Sequence, residues 1–300
     1  MLSIIKRLAA SFGTSGASLS KLACIIAVAL LFAACEQNDP SSQTGALKGK
    51  FSVNASGTQV QFAKGNLQYQ ATTDTWRFAE HQYDTIGEGN TYMSASYDGW
   101  IDLFGWGTGN APTRSESETF NSFVDWGVNP ISNGGNQPNQ WRTLTADEWI
   151  YIIFGRIKDN RIDLAGLGSV NGINGFILLP DDWGYTGVPF VSISESNNIA
   201  WDPDNNVYYD PKGGMFANNT YTVAQWQQME AHGAVFFPCA GFRSNGEPRI
   251  TMGFGRYWTK TSDSSTAEKA YGIECHQREW NVKPMWRSIG QSVRLVQEVQ

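Results

Sequence analysis

Two segments of this chain carry the same sequence pattern for the beginning of a helix, while most other segments favour strands. At the first, Thr145 is placed to cap a helix, and Glu148 follows three residues later, which is the spacing of a capping box. At the second, Thr222 and Gln225 repeat this arrangement. Short β-branched and aromatic runs surround them, without the regular strand–helix alternation that a parallel sheet requires. The sequence therefore predicts an α+β fold with two helices.

The strands are predicted from alternating polarity and from turn residues. A hairpin is expected within residues 51–78, around the turn at 54–57. Residues 83–140 are rich in Gly, Asn, Ser and aromatic residues, and we expect long ordered loops there. The glycines of residues 166–175 indicate turns. Terminal strands are expected at about 255–261, 269–276 and 291–298.

The first residues have the features of a bacterial export signal. Lys6 and Arg7 precede an apolar run at 22–32, which is short for a membrane span. The run ends in Ala33-Ala34-Cys35, which resembles a lipobox, where the cysteine becomes the lipidated first residue. We therefore predict a signal peptide at 1–34, a lipidated flexible tether at 35–49 and one domain at 50–300. An ordinary secretory signal with an incidental cysteine is the alternative.

Such a lipoprotein would be anchored to the outer membrane of a Gram-negative bacterium through acyl chains such as palmitate, facing the surface. The net charge of −6 gives no basic footprint for nucleic acid. The three histidines, His81, His232 and His276, lack metal-ligand spacing, so no metal or cofactor is expected. Residues 202–206 begin like a calcium loop, but the glycine and glutamate that an EF-hand needs further on are missing.

Three segments carry a resemblance to a known family. These are Gln-Trp-Arg-Thr-Leu-Thr-Ala-Asp-Glu-Trp at 140–149, Tyr-Trp-Thr-Lys-Thr at 257–261 and Gly-Gln-Ser-Val-Arg-Leu-Val at 290–296. They resemble blocks of the Fib-succ major paralogous (FISUMP) domain of bacterial surface lipoproteins, a relative of the formylglycine-generating-enzyme and C-type-lectin-like folds. The resemblance covers about residues 60–297. It implies a C-type-lectin-like fold, with two helices around irregular antiparallel sheets.

The enzyme relatives in this superfamily use paired cysteines near the end of the fold. Residues 275–278 of this chain, Cys-His-Gln-Arg, resemble the first half of that site, but Trp280 stands at the second thiol position. Strand alternation places Cys275 on the same face as Ile273, which is expected to point inward. Catalytic residues are therefore not expected. Cys275 and Cys239 could form a disulfide in an oxidising compartment, or both could be buried free thiols.

The segment from 243 to 288 is the predicted recognition site, because it concentrates Trp, Met and Arg, which are enriched at binding hot spots. Chemically dissimilar residues between framework strands resemble the segments that diversity-generating retroelements vary in some C-type-lectin-fold lipoproteins. The alternative for both tryptophans is packing in the core. The residues predicted to contact a ligand are Arg243, Glu247, Arg249, Arg256, Glu274, His276, Arg278, Trp280, Met285, Trp286 and Arg287.

The function predicted from these features is non-catalytic recognition of an extracellular protein or glycan by an envelope lipoprotein. Two alternatives from other classes remain. One is an enzyme on a formylglycine-generating-enzyme-like scaffold, and the other is a structural or fimbria-associated surface subunit.

Overall fold

The computed structural model describes residues 45–115, 120, 122–156, 163–195, 200–202, 207–209, 215–250, 253–276 and 279–299, which belong to one compact unit. The predicted signal peptide and the lipidation site Cys35 lie outside the described residues. The last part of the predicted tether, residues 45–49, is packed onto the domain. Ala46 forms an isolated β-bridge with Ala63, and Leu47 is buried in the core. The domain therefore begins several residues earlier than the sequence predicts.

Both predicted helices are present, and both begin with the predicted capping box. Helix α1 spans Ala146–Ile150 and continues as a π-helical turn, Tyr151–Gly155, while helix α2 spans Val223–Ala231. In α1 the Thr145 hydroxyl accepts from the Glu148 amide at 3.0 Å, and the Glu148 carboxylate accepts from the Thr145 amide at 2.7 Å. The described residues contain no helix long and apolar enough to cross a membrane.

Seventeen strands are found in the described part of the chain. They are β1 Phe51–Ser52, β2 Gln59–Phe62, β3 Leu67–Gln70, β4 Thr75–Phe78, β5 Trp100–Ile101, β6 Ala165–Val170, β7 Ile173–Leu178, β8 Ala200–Asp202, β9 Val207–Tyr209, β10 Thr220–Tyr221, β11 Val235–Pro238, β12 Phe242–Ser244, β13 Glu247–Arg249, β14 Phe254–Ser262, β15 Lys269–His276, β16 Glu279–Trp286 and β17 Val296–Glu298.

The strands form five small sheets, and every strand pair is antiparallel except β10 with β6. The largest, which we call the terminal sheet, has the order β14-β15-β16-β9-β8. A second has the order β10-β6-β7-β11, two have three strands (β1-β2-β17 and β4-β3-β5), and β12-β13 is a hairpin. Two helices among mostly antiparallel sheets confirm the predicted α+β class.

The strands differ from the sequence prediction at three places. The glycines of residues 166–175 lie mostly inside β6 and β7, with a turn at Asn171-Gly172. Gly168 lies so close to the Asn219 backbone that a Cβ atom would come within 2.4 Å of its carbonyl oxygen, so glycine is needed there for close packing. Strand β16 was not predicted, and the last strand begins at Val296 rather than near 291.

Hydrophobic clusters cover both faces of the terminal sheet. On one face Tyr257, Ile273 and Cys275 join a core that includes Trp149 of α1. On the opposite face, Trp258 belongs to a second core, and Ala270 and Met285 pack there too. That second core covers only one end of its face, and the other end carries charged side chains.

A buried arginine joins the terminal motif to the rest of the core. The guanidinium of Arg294 donates to the carbonyl oxygens of Ala63 at 2.9 Å and Phe236 at 2.8 Å, and to Oδ1 of Asn66 at 3.1 Å. Val293 and Leu295 on either side are fully buried. Burial lowers the pKa of Arg294 to about 10, so the side chain stays protonated at neutral pH. The resemblance motif at 290–296 thus has a structural role at its arginine.

Candidate functional site

The register of the terminal sheet brings three polar residues side by side. Arg256 on β14 pairs with Glu274 on β15, and Glu274 pairs with Asn281 on β16. Because side chains alternate along a strand, all three lie on the face opposite Tyr257, Ile273 and Cys275. They occupy the end of this face that lies beyond the second core.

Glu274 is the centre of a charge cluster on this face. Arg256 Nε donates to one of its carboxylate oxygens at 2.7 Å, and Lys283 Nζ contacts the other. The Glu274 side chain is only 4% exposed, whereas those of Arg256 and Lys283 are 17% and 37% exposed. Burial alone would raise the pKa of Glu274, but the hydrogen bond from Lys283 and the positive charge of Arg256 hold it below its usual value.

Two neighbouring aromatic rings contact the guanidinium of Arg256. Its Cζ lies 4.1 Å from the ring centroid of Phe242 and 5.0 Å from that of Phe254. The Phe254 ring is also parallel to that of His276, with centroids 5.5 Å apart. Phe242, Phe254 and His276 are each partly exposed. A guanidinium packed against two rings loses little freedom when it binds a partner, since its position is already restricted.

We call this set the charged face: Phe242, Phe254, Arg256, Glu274, His276 and Lys283. Two cations stand against one carboxylate among these six side chains, in a chain with a net charge of −6. The partly exposed guanidinium and ammonium groups are chemically suited to bind an anion. The neighbouring β12-β13 hairpin borders the face, because Phe242 pairs directly with Arg249.

Five of the predicted contact residues retain exposed surface. Arg256 and His276 belong to the charged face. Glu247 and Arg249 lie on the hairpin, with Arg249 Nη2 3.7 Å from the Glu247 carboxylate and both side chains exposed. Trp286 is 52% exposed but projects from the opposite face of the terminal sheet, where Lys269 Nζ lies 5.1 Å from its ring centroid. The structure therefore divides the predicted site into separate surfaces.

Four predicted contact residues are buried, which contradicts their assignment to an exposed surface. Glu274 is 3% exposed, and its role is the ion-pair cluster described above. Met285 is 5% exposed and packs in the second core. Arg287 donates to the carbonyl oxygens of Lys269 and Phe120, both at 3.0 Å, and its Cζ lies 4.3 Å from the ring centroid of Trp106. Arg243 is 3% exposed, and its backbone forms a bridge with Gly290.

Two predicted contact residues remain untested by the structure. Arg278 lies outside the described residues. Trp280 is described only in its backbone, which pairs with Cys275 on one side and Tyr208 on the other. Their predicted contacts with a ligand stay predictions.

Three members of the charged face were not predicted from the sequence. Phe242, Phe254 and Lys283 belong to it, and each lies on a strand whose alternation could have indicated the position. Phe254 is two residues before Arg256 and so shares its face. Predicting a strand at the position of β16 would have indicated Lys283, because strand alternation puts it on the same side as Met285, two positions away. Lys283 was therefore missed because strand β16 was not recognised in the sequence.

The two cysteines outside the N-terminal region are buried free thiols in this structure. Their sulfur atoms are 4.0 Å apart, and Cys239 Sγ also approaches the Cys275 carbonyl oxygen at 3.9 Å. Burial raises the pKa of Cys275 well above its usual value, and the hydrogen bond with Cys239 adds to this effect. A thiol in such a setting is a poor nucleophile. The inward orientation predicted for Cys275 is confirmed, while disulfide formation stays a prediction.

Glu148 has the structural role that its spacing predicts. Besides closing the capping box, its carboxylate accepts from both Nη atoms of Arg142, at 2.9 and 2.7 Å. Within the described ranges, no group of three or more His, Cys, Asp or Glu side chains is placed to hold a metal ion. Comparisons of this chain with family models, with curated proteins and with solved structures find no match.

Proposed function

We propose that this chain is a lipid-anchored lipoprotein of the outer membrane that recognises a ligand without catalysis, through the charged face of a C-type-lectin-like domain. The observation that carries the proposal is the Arg256 guanidinium, packed against the neighbouring rings of Phe242 and Phe254 and partly open to solvent. Such a group is ready to bind, because packing has already removed most of its conformational freedom.

The ligand of this face is acidic. Arg256 offers a partly exposed guanidinium, and Arg249 stands next to Phe242 on the bordering hairpin. An arginine beside aromatic rings suits a carboxylate or sulfate carried on a flat or ring-shaped group, because the guanidinium binds the anion while the rings contact the apolar part. Both acidic glycans and acidic segments of proteins have this chemistry.

The lack of a reactive thiol among the described residues supports recognition rather than catalysis. Cys275 is 1% exposed and its pKa is raised, so the thiolate on which a formylglycine-generating type of reaction depends is disfavoured at neutral pH. The only other described cysteine, Cys239, is buried beside it.

A binding screen tests this proposal. The full-length protein in detergent micelles is applied to immobilised heparin, alginate and dextran, and to acidic and basic peptides. We expect retention on one or more acidic ligands, with retention weakening as salt is raised, since screening reduces the attraction between partly exposed charges. Equal retention on dextran and on the acidic polysaccharides, or none on any acidic ligand, would contradict the proposal.

A further inference from the structure

A second candidate site lies away from the terminal sheet, in a cleft of about 430 Å³. It is formed by the segment that follows β7, residues 182–187, and by His232 immediately after helix α2. Small-molecule sites in proteins have volumes of about 300–1,000 Å³, so this cleft has room for a ligand of one or two rings. None of its residues belongs to the charged face.

Three aromatic side chains line the cleft in a fixed arrangement. The rings of Tyr185 and His232 are stacked, with centroids 3.9 Å apart and planes 12° from parallel. The Trp183 ring stands at 87° to Tyr185, with centroids 5.9 Å apart. Helix α2 holds this arrangement through Gln228, whose side chain accepts from the Tyr185 hydroxyl at 2.8 Å and whose carbonyl lies 2.7 Å from His232 Nδ1.

Trp183 and Tyr185 are only partly exposed, because both pack against the hydrophobic cluster around Trp226. Asp182 and Thr186 are exposed on either side of them and also line the cleft. The lining thus combines an anchored indole with a carboxylate and a hydroxyl. Asp182 and Thr186 can accept and donate hydrogen bonds beside the ring.

This combination fits a sugar better than a quaternary ammonium ion. A cage for a cation needs several ring faces directed at one point, whereas Tyr185 and His232 direct faces at each other. A pyranose instead needs a single ring face for its C–H groups, and polar side chains at the edge for its hydroxyls. Trp183 can supply the first, and Asp182 and Thr186 can supply the second.

We propose that the cleft lined by Trp183, Tyr185 and His232 is a binding site for a neutral saccharide, with the Trp183 indole as the stacking platform. Asp182 and Thr186 bind the hydroxyls of the sugar, and the stacked pair of Tyr185 and His232 forms the rigid wall beside it. The site is separate from the charged face in residues and in ligand chemistry. It does not depend on the function proposed for that face.

Gly184 allows the cleft to be blocked without removing any contact. Its φ is not in the left-handed region, and among the described residues a Cβ atom placed there meets only the Asp182 carbonyl oxygen, at 4.0 Å. A leucine at this position, which lines the cleft, therefore meets no described atom closer than 4.0 Å to its Cβ. Gly184→Leu and Trp183→Ala together separate loss of the site from loss of folding, because only the second removes packing from the core.

The test is saturation-transfer difference NMR on the full-length protein in detergent, with cellobiose, N,N'-diacetylchitobiose and choline as probes. We expect transfer to the ring protons of at least one disaccharide, at millimolar concentrations. Gly184→Leu should abolish it, and Trp183→Ala should weaken binding by about two- to tenfold, as expected for the loss of one aromatic stacking contact. Trp286→Ala, which removes an exposed indole elsewhere, should leave it unchanged.

Three results would overturn the proposal. One is the lack of transfer to either disaccharide. Another is transfer that Gly184→Leu leaves intact, which would place the sugar outside the cleft. The last is transfer to choline alone, lost in Asp182→Asn, which would assign the cleft to a cation. Binding of heparin or alginate to the charged face is unaffected by any of these outcomes, so the two proposals fail separately.

Discussion

Replacing Arg294 by methionine removes a buried guanidinium while keeping most of the side-chain volume. The substitution leaves three acceptors, on Ala63, Asn66 and Phe236, without their donor. Each buried acceptor that loses its partner costs about 1–3 kcal/mol of stability. At the middle of that range, three acceptors together cost about 6 kcal/mol.

Part of this loss is offset, because methionine need not be desolvated as a charge. Burial lowers the pKa of Arg294 from its usual value to about 10, and at 1.36 kcal/mol per pKa unit this corresponds to about 3 kcal/mol of burial cost at neutral pH. The net destabilisation expected for Arg294→Met is therefore about 3 kcal/mol, a large part of the roughly 5–15 kcal/mol by which domains are stable.

Urea unfolding followed by tryptophan fluorescence measures this difference. Arg249→Met is the matched control, because its side chain is 51% exposed, and we expect a change within about 0.5 kcal/mol. If Arg294→Met lost less than about 1 kcal/mol, the reasoning would be refuted, since the three acceptors would then not depend on the guanidinium.

Three further predictions follow from buried groups and a helix cap. Burial raises the pKa of Asp102 to about 6, so its contribution to the free energy of unfolding is fully present below about pH 4 and is lost as pH rises through 6. Asp102→Asn should therefore reduce the pH dependence of the free energy of unfolding between about pH 4 and 6. An unchanged pH dependence would contradict this prediction. Thr145→Ala should lower the free energy of unfolding measured in urea by about 1 kcal/mol, because the Glu148 amide loses its capping hydrogen bond. Oxidation should join Cys239 to Cys275 in a disulfide, seen as a mass lower by two hydrogens. Because the two residues are 36 positions apart, the disulfide should add at most about 4 kcal/mol to the free energy of unfolding. Two thiols that remain titratable after oxidation would exclude it.

Features that depend on neighbouring residues could be predicted from the sequence. The capping boxes at Thr145 and Thr222 need only the backbone and a side chain three residues away. The inward orientation of Cys275 follows from alternation within one strand. Such signals are local, so folding of the rest of the chain does not change them.

Features that depend on distant partners could not be predicted. Strand β16 contains Pro284, which argues against a strand when no partner is known, yet it pairs along the whole of β15. Glu274 looks like a solvated residue until Arg256 and Lys283 are placed beside it. Arg287 likewise needs the carbonyl oxygens of Lys269 and of distant Phe120 to be buried. The predicted site was therefore drawn too widely and missed Lys283.

The affinity of the Arg256→Ala variant tests the central claim, that the charged face binds an acidic ligand. Binding to the tightest acidic ligand of the screen is measured by calorimetry for the full-length protein and for Arg256→Ala, Arg256→Lys and Arg77→Ala. Arg77 is the matched control, since its Cζ also lies over an aromatic ring, 3.7 Å from the ring centroid of Trp100, but on another sheet.

We expect Arg256→Ala to weaken binding at least tenfold, which is about 1.4 kcal/mol. The affinity of Arg256→Lys should lie between those of Arg256→Ala and the wild type, because lysine keeps the charge but loses the planar contact with the two rings. Arg77→Ala should bind as the wild type does. Equal affinity of Arg256→Ala and the wild type, with both folded, would contradict the claim.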